Sequence, residues 1–179
     1  MASMTLIRDI DLFDDQDLLR RITLTSLVTL GVGVALVVAW LVSGWSHEQV
    51  GPLWLVGAVV ATLVSFGVHE LVHGVLFKVY GGSKAHVSFG ARAGMLYATA
   101  PGLVLTRHRF EVVLMAPTIL VSLASLVPLV WGCPLMCVVV CLIHLSGCAG
   151  DWAFARIIHQ DHLVVTCEDT DRGIRLYGL

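Results

Sequence analysis

Four long apolar stretches, separated by short polar segments, dominate the chain. Each is long enough to cross about 30 Å of hydrocarbon as a helix that rises about 1.5 Å per residue. Because main-chain N–H and C=O groups in lipid must pair within the chain, helices are the expected form. The pattern predicts an all-α integral membrane protein with about four transmembrane helices. The predicted spans cover residues 22–43, 52–80, 110–131 and 133–158.

The segment between the second and third spans, residues 81–110, is too long for a bare turn. Its runs Ala85–Phe89 and Met95–Thr99 contain strand-forming residues, and a short segment that includes Gly94 separates them. We therefore expect a cytoplasmic β-hairpin between spans two and three. An extended peptide would find a strand edge there to pair with. The alternative is a plain structural hairpin or an amphipathic cover.

The two ends of the chain carry weaker signals. Residues 162–167 and 173–177 flank a polar turn, which predicts a second small hairpin. At the other end, residues 6–19 mix apolar side chains with five aspartates. We interpret this run as a capped lead-in to the first span, in preference to a short interfacial helix, because negative charge disfavours anionic lipid.

Composition agrees with a membrane protein and excludes several other classes. Of the 179 residues, 57% are hydrophobic and 13% are charged, whereas soluble domains carry roughly 25% charged residues. Five cysteines without a CxxC pair do not predict a disulfide framework. The net charge of −2 gives no attraction to nucleic acid. The length fits one membrane-embedded domain over residues 1–179, and no pattern assigns an oligomeric state.

The distribution of lysine and arginine predicts the orientation. With four spans, one side of the membrane holds the N-terminus, the hairpin segment and the C-terminal tail, and the other holds only short turns around residues 44–51 and Gly132. The positive-inside rule places both termini in the cytoplasm of a multi-pass cell-membrane protein. All 11 basic residues lie on the first side: Arg8, Arg20, Arg21, Lys78, Lys84, Arg92, Arg107, Arg109, Arg156, Arg172 and Arg175.

The second span contains an HExxH sequence, from His69 through Glu70 to His73. Residues four apart lie on one face of a helix, so both imidazoles can bind one Zn²⁺. Glu70 follows the first ligand and can take a proton from a metal-bound water. Three ionisable groups so close together on an apolar helix indicate either a functional site or a buried His–Glu network that only holds helices together. We favour the functional site.

A catalytic zinc has three protein ligands as a rule, and Asp151 is the best candidate for the third. It is the only acidic residue in the fourth span. His69 lies 17 residues after Pro52, and Asp151 lies 17 residues after Pro134. Since both spans run inward, both groups are predicted about 25 Å from the outer surface, near the cytoplasmic edge. The alternative is an aspartate that pairs with Arg156 at a helix end.

His144 and Cys148 compete with Asp151, because offsets of three, four and seven residues share one helical face. We expect His144 to be a transition-state hydrogen-bond donor or a buried core residue, and less favourably an alternative metal ligand. A fourth ligand from His144 or Cys148 would close the metal site to water.

At this point the sequence resembles the zincin peptidases, small prokaryotic membrane proteins allied to the site-2 protease class of intramembrane metalloproteases. The resemblance covers about residues 18–177 and implies zinc bound by His69, His73 and Asp151, with Glu70 as the general base. The larger site-2 proteases carry the third ligand in an Asn-containing motif that ends in Asp-Gly. The segments that carry the resemblance are HELVH at 69–73, KAHVSFGARAGMLYATAPG at 84–102, the Ala116-Pro117 pair and HLSGCAGD at 144–151, where Trp152 replaces the glycine.

The function that we predict is therefore a zinc-dependent intramembrane peptidase, acting on a peptide or a membrane protein near the cytoplasmic edge of the bilayer. The alternative is a non-catalytic zinc-binding membrane protein with a sensing or regulatory role. A small transporter subunit is a third hypothesis. It predicts polar groups at several depths, whereas here they concentrate near one depth, apart from His144.

Overall fold

The computed structural model describes residues 4–44, 48–92 and 95–179. Residues 45–47, in the predicted turn after the first span, and Gly94, between the predicted strands, lie outside this description. The helices are α1 (Gln16–Val42), α2 (Pro52–Gly81), α3 (Arg107–Ala124), α4 (Pro134–Gly147) and α5 (Ala149–Gln160). The strands are β1 (Thr5–Asp11), β2 (Ser88–Arg92), β3 (Met95–Thr99), β4 (Val104–Thr106), β5 (Thr166–Asp169) and β6 (Gly173–Gly178).

The long apolar helices correspond to the predicted spans. Among the described residues, three helices are long and apolar enough to cross a membrane, and the bent pair α4–α5 raises the number to up to four. The third span is α3 followed by a short 3-10 helix at Val127–Trp131. Large apolar side chains such as Leu53 and Val130 are exposed on these helices. A mostly helical chain with these outer surfaces is compatible with a membrane protein.

The fourth predicted span is not one continuous helix. The axes of α4 and α5 differ by 51°, and the break falls at Cys148. Small residues occupy positions 146–150, and Gly147 packs directly on α2, since a Cβ there would lie 2.5 Å from Cε1 of Phe66. The chain therefore turns directly after this close contact between α4 and α2. The prediction of a single helix over 133–158 is wrong at this point.

A four-stranded antiparallel sheet with strand order β1-β6-β5-β4 is the main departure from the all-α prediction. Its β5–β6 hairpin lies where the C-terminal hairpin was predicted. Residues 5–11 form an edge strand instead of a helix lead-in, with Asp11 opposite Gly173. The lead-in begins later, where the Asp15 carboxylate accepts a 2.9 Å hydrogen bond from the N–H of Leu18 and caps α1.

The second sheet is the hairpin predicted between spans two and three, and it contains β2 and β3 alone. β3 has the predicted bounds. β2 begins three residues later than predicted, because Ala85 is buried and its carbonyl accepts a 3.0 Å hydrogen bond from Lys78 Nζ. Phe89 of β2 packs on Gly74 of α2, where a Cβ would lie 2.5 Å from its ring. The hairpin is thereby held against the helix that carries the HExxH sequence.

The main apolar core lies at one end of the helices, beneath the four-stranded sheet. It joins the last turns of α2, the first turns of α3, and α5. Phe77 and Phe110 meet edge-to-face there, with ring centroids 6.2 Å apart. Because this core fixes α2 and α5 relative to each other, it determines where their polar side chains meet. The largest fully buried apolar residues in it are Phe110, Ile158, Leu176 and Val113.

Candidate metal centre

Two imidazoles on consecutive turns of α2 form one half of the site. His69 and His73 are both buried, with 5% and 6% of their surface exposed. Their Nε2 atoms are 3.1 Å apart, and the rings meet edge-to-face with centroids 4.8 Å apart. The helical spacing of four residues therefore brings two metal-binding nitrogens to one point.

The first turn of α5 supplies the other half. Oδ2 of Asp151 lies 3.0 Å from Nε2 of His69, and Oδ1 lies 3.5 Å from Nε2 of His73. The neighbouring Trp152 donates a 3.1 Å hydrogen bond from Nε1 to Oγ1 of Thr118, which ties α5 to α3. The carboxylate thus reaches the two imidazoles from a helix that is anchored on its other side.

The donor set fits a zinc ion. Two imidazole nitrogens and one carboxylate are ligands that zinc takes in catalytic sites. Ligands about 2.0–2.2 Å from a tetrahedral zinc are roughly 3.3 Å from one another. Here the two Nε2 atoms are 3.1 Å apart, and each lies within 3.5 Å of one oxygen of the Asp151 carboxylate, His69 of Oδ2 and His73 of Oδ1. Each of the three residues offers one ligand atom within 4.8 Å of the others. The predicted ligands therefore lie together in an arrangement that can hold the ion.

The group faces an open cavity of about 730 Å³. The cavity is lined by helices α1, α2 and α5, by strand β3 and by the β5–β6 turn. Glu70, on α2, is one of the lining residues. Glu70 is partly buried, and the main chain of Ala98 in β3 lies near its carboxyl group. The predicted general base and the three predicted ligands therefore line the same cavity.

His144 and Cys148 lie on the far side of His69. Nε2 of His144 is 3.0 Å from Nδ1 of His69, and Sγ of Cys148 is 3.8 Å from the same nitrogen. Both residues are fully buried and neither lines the cavity. Together with His69 they form a second group of ligand-type atoms. The structure thus separates these two residues from the His73–Asp151 side of the ring.

The sequence reasoning missed a buried carboxylate near the cavity. Asp169 of β5 accepts hydrogen bonds from Oγ1 of Thr99, at 2.5 Å, and from the N–H of Ala100, at 2.6 Å. Burial raises the pKa of Asp169 to about 6, although these hydrogen bonds oppose the rise. The contact ties the end of β3 to the four-stranded sheet. The partners are about 70 residues apart in the chain, so no local pattern signals it.

A second missed feature is an aromatic–guanidinium stack at the rim of the cavity. The guanidinium groups of Arg92 and Arg172 lie 5.2 Å and 5.9 Å from the centroid of the Phe13 ring. Arg172 also pairs with Asp11 at 3.1 Å and with Asp14 at 3.3 Å. All three members of the stack line the cavity, so the hairpin, the N-terminal segment and the β5–β6 turn meet there.

A family model described as "putative zincin peptidase" matches residues 62–162. The match spans more than half of the chain and includes the HExxH helix, the hairpin, α3 and Asp151. No curated protein and no solved structure matches the chain. The family description implies that zinc is the metal.

Proposed function

This chain belongs to the zincin peptidase family, and from that premise we propose that it is an intramembrane metallopeptidase of the site-2 protease type. It would hydrolyse peptide bonds near the cytoplasmic edge of the cell membrane, as a single membrane-embedded domain over residues 1–179. The observation that carries this proposal is the convergence of His69, His73 and Asp151 on a cavity that Glu70 also lines.

The residues divide the chemistry among them. His69 and His73, through Nε2, and the Asp151 carboxylate would hold the zinc ion. When bound, zinc polarises a scissile carbonyl and makes a water molecule acidic enough to react near neutral pH. Glu70 would accept the proton of that water and then deliver it to the leaving amine. The cavity beside Glu70 gives both water and substrate access to this point.

The membrane placement rests on the outer surfaces of the helices and on their length. α2 has 30 residues, or about 45 Å, so it is longer than the hydrocarbon core is thick. If α2 enters the bilayer at Pro52, the HExxH turn lies near the opposite face. All 11 basic residues belong to the side that holds both termini, the hairpin and the tail, so we propose that this side is cytoplasmic. Water would then reach the site over a short path.

The hairpin offers a binding edge for an extended substrate. Among the described residues, β3 pairs with β2 alone, and residues 95–99 line the cavity. The main chain of Ala98 lies near Glu70, and the main chain of Leu96, two residues earlier, has the same orientation in the strand. A peptide that added a strand here would lie beside Glu70. A helical peptide bond is inaccessible, so such a site needs a locally unwound substrate.

The proposal is tested with the variant Glu70→Gln. The full chain would be reconstituted in liposomes with a fluorescent peptide that spans the membrane once, and the fragments would be identified by mass spectrometry. Glu70→Gln should keep one zinc per chain and lose cleavage about 10²-fold or more. Glu111→Gln is the matched control, since Glu111 pairs with Arg107 and His159 away from the cavity. Full activity of Glu70→Gln would refute the assigned base.

One observation favours a second candidate, a zinc-binding sensor or regulator without turnover. His69, His144 and Cys148 form a buried group of ligand-type atoms, and of these His144 and Cys148 do not line the cavity. Catalytic zinc sites keep a position open to water, whereas a metal held by these three residues would lie on the side of His69 away from the cavity. Under this alternative the wild-type protein binds zinc and cleaves nothing, and Cys148→Ala removes the metal while Asp151→Ala does not.

A further inference from the structure

The two predicted ligand histidines each lie near a buried polar group besides Asp151. For His69 the contact is made by Nδ1, which lies 3.0 Å from Nε2 of His144. The imidazole of His73 lies near the main chain of Val113 in α3. His144 and Val113 are both fully buried, so water does not compete for either contact. The two imidazoles are thus contacted on both sides.

His144 is seated so that it can act as an acceptor. With His69 ligating through Nε2, Nδ1 of His69 carries the proton and donates it to Nε2 of His144. The proton of His144 is then on its own Nδ1. Sγ of Cys148 lies 3.9 Å from this Nδ1 and 3.7 Å from Nε2, so it contacts the ring as a whole. Cys148 also donates from Sγ to the His144 carbonyl at 3.3 Å.

The main-chain carbonyl of Val113 is free to accept a hydrogen bond from His73 because the residue four positions later is a proline. In α3, which spans Arg107–Ala124, the carbonyl of Val113 would accept from the N–H four residues later. That residue is Pro117, which has no N–H. A fully buried carbonyl without a helical partner needs another donor, and His73 lies beside it. Pro117, which carries part of the sequence resemblance, thus leaves the Val113 carbonyl without its helical donor next to the site.

We propose that His144 and the Val113 carbonyl freed by Pro117 are positioning groups, which hold His69 and His73 with Nε2 directed at the metal. The inference rests on the zinc site of the proposed function. In this role His144 is neither a transition-state donor nor a metal ligand. Partners of this kind fix the tautomer and the orientation of a ligating imidazole, and their loss weakens metal binding about 10–100-fold.

The first test uses His144. The dissociation constant for zinc would be measured on the full chain in detergent, by competition with a chelator of known affinity. His144→Leu, which removes the acceptor, should bind zinc about 10–100-fold more weakly. His144→Gln offers a side-chain oxygen near the position of Nε2 and should restore most of the affinity. Val140→Ala is the control, because Val140 is buried one turn earlier on α4 and its loss removes no acceptor.

The second test uses Pro117. Pro117→Ala restores an N–H that competes with His73 for the Val113 carbonyl. In a helix interior alanine is normally more favourable than proline by about 3 kcal/mol. This variant should nevertheless bind zinc about tenfold more weakly. The control Val121→Ala removes buried volume one turn later on α3 and should leave the zinc affinity unchanged. Cobalt-substituted protein should show an altered visible spectrum only for the His144→Leu and Pro117→Ala variants.

The results separate this inference from the proposed function. Unchanged zinc affinity in His144→Leu, or no rescue by His144→Gln, overturns the positioning role while the peptidase proposal stands. Two zinc ions per chain, one of them lost in His144→Leu, would show that His69, His144 and Cys148 form a metal site of their own and would likewise overturn it. A wild-type protein that binds zinc with the expected variant effects but cleaves nothing would overturn the peptidase proposal alone.

Discussion

Oδ2 of Asp151 lies 3.0 Å from Nε2 of His69, although the two residues are 82 positions apart. α4 packs on α2 through Gly147, and Asp151 follows in the first turn of α5, directly after the 51° bend. A partly buried carboxylate against two buried imidazoles is costly without a partner charge. A bound cation would supply that charge.

The first prediction concerns zinc content. Wild-type protein purified in detergent should contain about one zinc per chain by elemental analysis, and Asp151→Ala should contain almost none, because two histidines alone are not enough for a catalytic zinc site. Asp161→Ala is the matched control, since Asp161 lies just beyond α5 and its carboxylate caps only Leu163. Zinc retained by Asp151→Ala would move the third ligand to His144 or Cys148.

The local part of the site could be predicted from the sequence. Helical periodicity alone places His69 and His73 on one face, and the structure has them on consecutive turns of α2. The estimate that brought Asp151 to the same depth assumed a straight fourth helix, and that assumption is wrong. Asp151 still meets His69, because the bend comes only after α4 has run alongside α2 and falls three residues before the carboxylate.

The strands show what local patterns could not supply. β1 pairs with β6 across more than 160 positions, and the aspartates within residues 5–11 obscure its alternation. Arg175 pairs with Asp9 across that ladder at 2.9 Å, so these charges belong to strand pairing and not to a helix N-terminus. Likewise, Thr99 and Asp169 meet only because two separate sheets lie side by side. Such contacts depend on tertiary structure, which short-range periodicity does not describe.

The second prediction tests the edge of β3. Leu96→Pro removes one main-chain donor from the strand that lines the cavity, and proline is tolerated on a strand edge. One lost hydrogen bond of about 0.5–1.5 kcal/mol should lower kcat/KM for the liposome substrate by up to about tenfold. Zinc content should not change. Leu96→Ala keeps the N–H and should stay close to wild type, so equal losses in both variants would assign the effect to the side chain.

The third prediction concerns the contact between α4 and α2. A Cβ at Gly147 would lie 2.5 Å from Cε1 of Phe66, so Gly147→Ala must displace a ring that lines the cavity. We expect a loss of about 1–3 kcal/mol in the free energy of unfolding, as for other overpacked sites. It would be followed by circular dichroism during denaturation in detergent.

The matched control for this contact is Gly67→Ala. Gly67 is the neighbour of Phe66 in the same helix, and nothing lies within 4 Å of the position of its Cβ. Alanine there should stabilise the helix by about 0.5–1 kcal/mol. If both variants shifted stability in the same direction, Gly147 would not be a point of close contact between the helices.

The fourth prediction is a pH dependence that arises from Asp169. Burial raises the pKa of Asp169 to about 6 from an ordinary value of 3.8, so the folded protein holds this proton more tightly than the unfolded chain does. Its contribution to stability is fully present below about pH 4 and is lost as the pH rises to about 6. Above that pH the loss is about 3 kcal/mol. Asp169→Asn does not titrate and still offers an acceptor to Thr99 and Ala100.

The difference in melting temperature between Asp169→Asn and wild type, measured from pH 4 to pH 8 in detergent, isolates this group because every other residue is the same in both proteins. The difference should grow in favour of Asp169→Asn between pH 4 and pH 6 and then stay constant. Asp171→Asn should show a smaller rise, because the charge of the exposed Asp171 contributes to the raised pKa of Asp169. Asp169→Ala should be less stable than Asp169→Asn by about 1–3 kcal/mol, since the donors of Thr99 and Ala100 lose their acceptor. A pH-independent difference between Asp169→Asn and wild type would contradict the raised pKa.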